Sequence, residues 1–149
     1  MTNMDTSRHV NIVPVPLVLL GKVWGQVAPL LLRGLAESPN ITLQRLVDDL
    51  LDQNDQLWTI FVGRELSGVF VTHVFEDESG RAVDVYALAG NDVNEWGKPL
   101  SRKMVEFARE NGCSRIIFCG RKGLLRAYEG VRIVGELKPG VYHFERAVQ

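Results

Sequence analysis

The groups in this 149-residue chain that could do chemistry are three histidines, two cysteines and a scatter of carboxylates and basic side chains. His73 sits between Thr72 and Val74 in an apolar run, and His143 lies in a similar setting. Neither has a second His, Cys or carboxylate at the spacing of a metal-ligand set, so both read as ordinary core or exposed histidines. Cys113 and Cys119 flank Ile116-Ile117-Phe118. If that run is a strand they stand about 20 Å apart, at roughly 3.3 Å per residue. A disulfide needs Cα atoms within about 7 Å, so two free thiols are expected, which suits a reducing compartment. No Ser-His-Asp signature, Walker loop or dinucleotide fingerprint is present.

The basic residues are unevenly spread. Residues 98–138 carry ten Lys or Arg against four acids, whereas residues 1–56 carry four against six. Arg115, Arg121, Lys122 and Arg126 are expected to cluster around one end of a predicted strand and the helix after it. Such a patch suits a phosphate, nucleic acid or an acidic protein surface, or is simply a solvated rim. No aromatic residues interleave with it as single-strand stacking would require.

These side chains need elements to hold them. Residues 9–15 alternate as a short strand, and Pro14 and Pro16 confine it to a sheet edge. Residues 17–37 are apolar at helical spacing, with Pro29 predicted to kink or split the helix. Thr42 is placed to cap a second helix, whose Leu43, Leu46, Val47, Leu50 and Leu51 form one face. Strands follow at 57–62, 66–75 and 82–89, joined by Gly63-Arg64-Glu65 and by a polar loop at 76–80. Residues 90–96 read as a polar connection and 98–111 as a helix, with Asn94 as cap and Gly112 as its stop. A strand at 115–119, a short helix at 124–129 and closing strands at 131–134 and 141–144 complete the order. Three consecutive antiparallel strands before a crossover helix imply a mixed sheet with helices on its faces. Leu46, Leu50, Val69, Val71, Val85, Met104, Ile117 and Phe118 are the expected core.

Composition limits the rest. An apolar share of 46% and 17 basic against 18 acidic residues describe one globular domain over 1–149, with enough apolar surface to bury. A net charge of −1 excludes a polybasic tail or an acidic mimic of nucleic acid. The apolar stretch 10–20 is short for a membrane span and has no basic leader, which points to synthesis in the cytoplasm.

The element order resembles that of the GNAT superfamily of acyl-CoA-dependent N-acyltransferases over essentially the whole chain. Leu66-Ser67-Gly68-Val69 resembles the family's hairpin entering its third strand. Phe107-Ala108-Arg109-Glu110-Asn111-Gly112-Cys113 is similar to the end of its third helix. Arg126-Ala127-Tyr128-Glu129-Gly130-Val131-Arg132-Ile133-Val134-Gly135 resembles its late Tyr-Glu-x-x-Gly-Phe segment. The resemblance implies a mixed, mostly antiparallel sheet with helices on both faces.

The resemblance also implies a donor loop before the third helix, of pattern Arg/Gln-x-x-Gly-x-Gly/Ala, where bare backbone amides meet the CoA diphosphate. An ungapped count places it on Asp92-Val93-Asn94-Glu95-Trp96-Gly97. Only Gly97 matches; Asp92 stands at the basic or amide position, and Glu95 at the first glycine. At an effective dielectric near 20, one like-charge pair at 4 Å costs about 4 kcal/mol. Asp92 and Glu95 are therefore expected at or just before a helix N-terminus, where carboxylates are favoured and where a phosphate would otherwise sit. By the same resemblance Tyr128 matches the general acid, or is a helix tyrosine packed on the sheet. Asp84 matches a general base, or is a polar residue on the solvent face of a strand.

Two functions follow. In the first, a GNAT-fold protein has lost acyl transfer and serves as a binding or structural subunit without a cofactor. It resembles the GNAT-like proteins encoded among the head and tail genes of tailed bacteriophages, with other virion proteins as partners. In the second, the chain is an active N-acyltransferase that takes acetyl-CoA in an atypical loop, with a cleft between its fourth and fifth strands. Nucleic-acid binding through Arg121 and Lys122 is a third class.

Overall fold

A computed structural model describes residues 9–38, 40–123 and 130–148. Its elements are β1 (Val10–Pro14), α1 (Leu20–Leu35), α2 (Leu43–Leu51), β2 (Asp55–Val62), β3 (Glu65–Asp77), β4 (Gly80–Gly90), α3 (Val93–Glu110), β5 (Arg115–Gly120), β6 (Val131–Lys138) and β7 (Val141–Ala147). The strands form one sheet in the order β1-β2-β3-β4-β5-β7-β6. Every neighbouring pair is antiparallel except β4 and β5, which the crossover through α3 makes parallel.

Alternation along the strands sends side chains to two cores. On one face Trp58, Ile60, Phe70, Val85 and Phe118 pack with Leu100, Met104 and Ala108 of α3. On the other, Leu57, Val69, Val71 and Tyr86 meet Leu31 of α1 and Leu46 and Leu50 of α2. Helices thus cover both faces, as the element order implies. By length and composition the stretch Leu17–Leu35 is apolar enough to cross a membrane. In the fold its Leu20, Val27, Leu31 and Gly34 are buried.

Seven of the eight expected core residues are buried. Ile117 is only half-buried: the buried residues of β5 are Ile116, Phe118 and Gly120, which alternate onto the α3 face. Ile117 points the other way and is not among the residues packed in the α1/α2 core.

Local signals behave as their chemistry dictates, with three departures. Thr42 caps α2, its hydroxyl accepting from the Arg45 amide at 3.1 Å. Pro29 does not split α1, which runs unbroken through it. It lies on the exposed face, where the Gly25 carbonyl it leaves without a donor can turn to water. The polar connection at 90–96 shrinks to Asn91 and Asp92, because α3 starts at Val93 rather than 98. Asp92 occupies the cap position, and Asn94 is inside the helix. The helix expected at 124–129 lies outside the described residues.

Candidate functional site

The sheet opens between its two parallel strands. Ala82 to Val85 pair with Arg115 to Phe118, and there the pairing stops. Just beyond it, Ala87 adopts φ 53, an unusual left-handed conformation for a residue with a Cβ, where the β3–β4 register slips between Val69 and Val71. The slip turns the Ala87 amide out of the ladder. Ser38 catches it: its hydroxyl accepts from the Ala87 N–H at 3.1 Å and donates to the Gly34 carbonyl at 3.3 Å. Gly34 lies so close that a Cβ there would stand 2.2 Å from the Ala87 carbonyl oxygen. The end of α1 thus clamps the bulge that ends the β4–β5 pairing.

The gap is a cleft of about 340 Å³, walled by Leu88, Val93, Trp96, Cys119, Arg121 and Glu37 among others. Burial, with the Asp84 charge as a lesser cause, pushes the Cys119 thiol up to about 11, so it is protonated at neutral pH. One contact joins two residues of its wall: Arg121 Nε lies 3.1 Å from Glu37 Oε1. Next to Glu37 in the chain, the Ala36 carbonyl accepts from Lys138 Nζ at 2.8 Å. The second oxygen of Glu37 is buried and has no hydrogen-bond partner.

The first turn of α3 borders this cleft. Asp92 precedes it with φ 61 and makes no side-chain cap, while Glu95 stands within the turn and its amide donates to the Asp92 carbonyl at 2.8 Å. Both carboxylates are exposed, as placed by sequence at a helix N-terminus. The wall facing the gap is instead apolar, made by Val93 and Trp96. Trp96 is buried, and its indole N–H donates to the Asn91 carbonyl, which fixes the ring across the start of the helix. Gly97 is buried beneath it.

Among the described residues of the basic patch, Arg115 does not join the cluster. Arg115 is at the opposite end of β5 from Arg121 and Lys122, about 20 Å away for a six-residue strand. Its side chain is only 15% exposed, and the guanidinium is ion-paired with Asp77 and Glu145 and lies over the Phe75 ring. Lys122 sits 4.9 Å over the Tyr142 ring. Arg126 and Tyr128 lie outside the described residues.

A second cavity, of about 550 Å³, opens on the α2 side of the sheet. Strand register brings Asp55, His73 and Asp84 side by side across β2, β3 and β4. His73 Nδ1 is 2.6 Å from Asp55 Oδ1, and the Tyr86 hydroxyl donates to the other Asp55 oxygen. Asp55 is almost fully buried, whereas the His73 side chain is 44% exposed. Asp84 is mostly buried, and that desolvation raises its pKa to about 6 against a smaller opposing pull from His73. Sequence alone placed Asp84 among candidates and took His73 for a bystander. Polar residues at 55, 73 and 84 within apolar strands were the available signal. Among the described residues no group of His, Cys, Asp and Glu could hold a metal ion.

The sequence matches no family model and no curated protein. Solved structures do match the fold. A probable acetyltransferase from Staphylococcus epidermidis superposes with a TM-score of 0.69 at 10% identity, over 95% of this chain and 100% of that one. A Bacillus subtilis acetyltransferase in complex with CoA gives 0.66 at 17% identity, again over 95% and 100%. A GNAT-family acetyltransferase from Streptococcus pneumoniae gives 0.64 at 15% identity with the same coverage. The chain therefore has the GNAT fold.

Proposed function

We propose that this chain is an N-acyltransferase that holds its acyl-thioester donor by the pantetheine arm rather than by the diphosphate. The observation that carries this reading is the gap after Val85 and Phe118, kept open by the clamped bulge at Ala87. A slot between strands offers an extended pantetheine chain both apolar wall (Leu88, Val93, Trp96) and unpaired strand edges. The diphosphate seat fits less well. Asp92 at the cap position, and Glu95 and an indole in the first turn of α3, stand where the motif would leave bare amides. A bound acetyl-CoA would supply an activated acyl group whose thiolate leaves readily.

On this reading each residue has a task. Trp96 and Val93 keep water from the arm, and Glu37 with Arg121 closes the mouth. Cys119, held neutral, is a wall rather than a nucleophile. That the structures named above are acetyltransferases, one of them in complex with CoA, supports an acyl donor.

A second reading has its own support. Asp92, Glu95 and Trp96 at the start of α3 suit a protein that no longer binds a nucleotide and serves as a binding or structural subunit. A virion role within that reading rests on the sequence resemblance alone. Calorimetric titration separates the two. The first predicts saturable heat with acetyl-CoA and with acetyl-pantetheine, their dissociation constants within about tenfold of each other. No heat and no thermal shift at millimolar concentrations of either leaves the subunit reading. An acetyl-CoA affinity far above that of acetyl-pantetheine contradicts the grip by the arm.

A further inference from the structure

We propose that the Asp55–His73 pair, braced by Tyr86 in the cavity beside α2, takes the proton from a cationic primary amine that is the acyl acceptor. The assignment rests on the donor reading above and adds to it the acceptor and the group that prepares it.

Geometry comes first. Asp55 engages Nδ1 of His73, which leaves Nε2 as the ring nitrogen offered to the cavity. A buried carboxylate bonded to Nδ1 fixes the tautomer in which Nε2 accepts a proton, and it steadies the imidazolium once formed. The Tyr86 hydroxyl satisfies the second Asp55 oxygen, and burial together with that bond pushes the phenol up, so it stays a donor. The pair is therefore rigid on its inner side and accessible on its outer side, with His73 the exposed member.

Position comes second. Asp84 is the direct neighbour of His73 across β3 and β4, one residue before the last β4–β5 pair. Tyr86 lines the cavity and Leu88, two residues further along β4, walls the cleft, so the two openings are neighbours along that strand. An acceptor in the cavity approaches a thioester in the cleft from the α2 side of the sheet.

Charge selects the ligand class. Asp49, Asp55 and Asp84 face the cavity against one cation, Arg45, which is mostly exposed and lies 3.8 Å from Asp49. That excess repels carboxylates and phosphates and favours an ammonium. An alkylamine resembles lysine in basicity, so only about one molecule in a thousand is unprotonated near pH 7.4. A base at the acceptor site is then worth on the order of 10²–10⁴ in rate. In the transfer the ammonium gives one proton to Nε2 of His73. The freed nitrogen lone pair forms the C–N bond, the C–S bond breaks, and the second proton lost by nitrogen neutralises the departing thiolate. His73 returns its proton to solvent.

The test uses the full chain and n-butylamine as probe, read by the ring 15N and 1H signals of His73. At pH 8 the wild type is expected to carry its proton on Nδ1, and Asp55→Asn to lose that preference. n-Butylamine at fixed pH and ionic strength should shift the ring signals saturably, and n-butanol should not. His73→Asn, a change at a partly exposed position, should lower n-butylamine acetylation about 100-fold while leaving the acetyl-CoA heat intact. A proton on Nε2 in the wild type overturns the proposal. So does acetyl-CoA binding with His73 signals that ignore the amine, which leaves the donor reading standing. Amine-induced shifts without acetyl-CoA heat overturn the donor reading instead.

Discussion

Asp84 holds its proton to about pH 6 in the folded chain, against 3.8 for an ordinary aspartate. Between those values folding takes up a proton, so stability falls as pH rises, and the full loss is present above about pH 6. Its charged form faces His73 and Asp55 on neighbouring strands, Tyr86 on its own, Cys119 on β5, and Arg45 and Asp49 across the cavity. Asp84→Asn is expected to stabilise the protein at pH 8 by up to about 3 kcal/mol and to do little at pH 4. Urea unfolding at the two pH values checks this, and an equal effect at both contradicts it. Single residues were legible where the signal is local. Thr42 as a cap and the acids at the start of α3 needed only their neighbours. The Asp55–His73 contact was not legible, because it joins residues 18 apart through a β2–β3 register that itself slips at Ile60/Phe61.

Among the elements, the contact between α1 and β4 decides whether the cleft exists. Gly34 is required by the backbone of Ala87, whereas Gly25, on the exposed side of the same helix, has nothing within 4 Å of a would-be Cβ. Gly34→Ala should therefore cost about 2–3 kcal/mol, since a methyl group would have to displace backbone. Gly25→Ala should gain about 0.5–1 kcal/mol from helix propensity. Chemical denaturation of the two variants gives the comparison, and similar effects would refute the clamp. Periodicity and turn residues gave the type and order of every described element. Boundaries were less legible, above all at α3, where a helix start at Asp92 looks like more loop because Pro99 and Gly97 obscure the first turns. The half-buried Ile117 has the same origin: an apolar run in a strand does not say which of its alternate residues face the tighter core.

At the scale of the molecule, the pair β4–β5 is the one parallel pair among the described strands. Ligands bind where such strands diverge, because the ladder leaves backbone groups unpaired there and side chains from both strands line the gap. The sheet and its two helical layers followed from the order of elements, but the openness of the gap did not. It depends on a bulge that no residue type announces, with alanine in a conformation usually left to glycine. On the proposed reading this gap receives a thioester arm while the acidic helix start leaves the nucleotide end unheld. A crystal structure grown with acetyl-CoA tests it most directly. The account predicts pantetheine density between β4 and β5 beside Cys119, with the diphosphate turned away from Asp92 and Glu95. Density for the diphosphate on the amides of the first turn of α3, or no ligand between the strands, would contradict it.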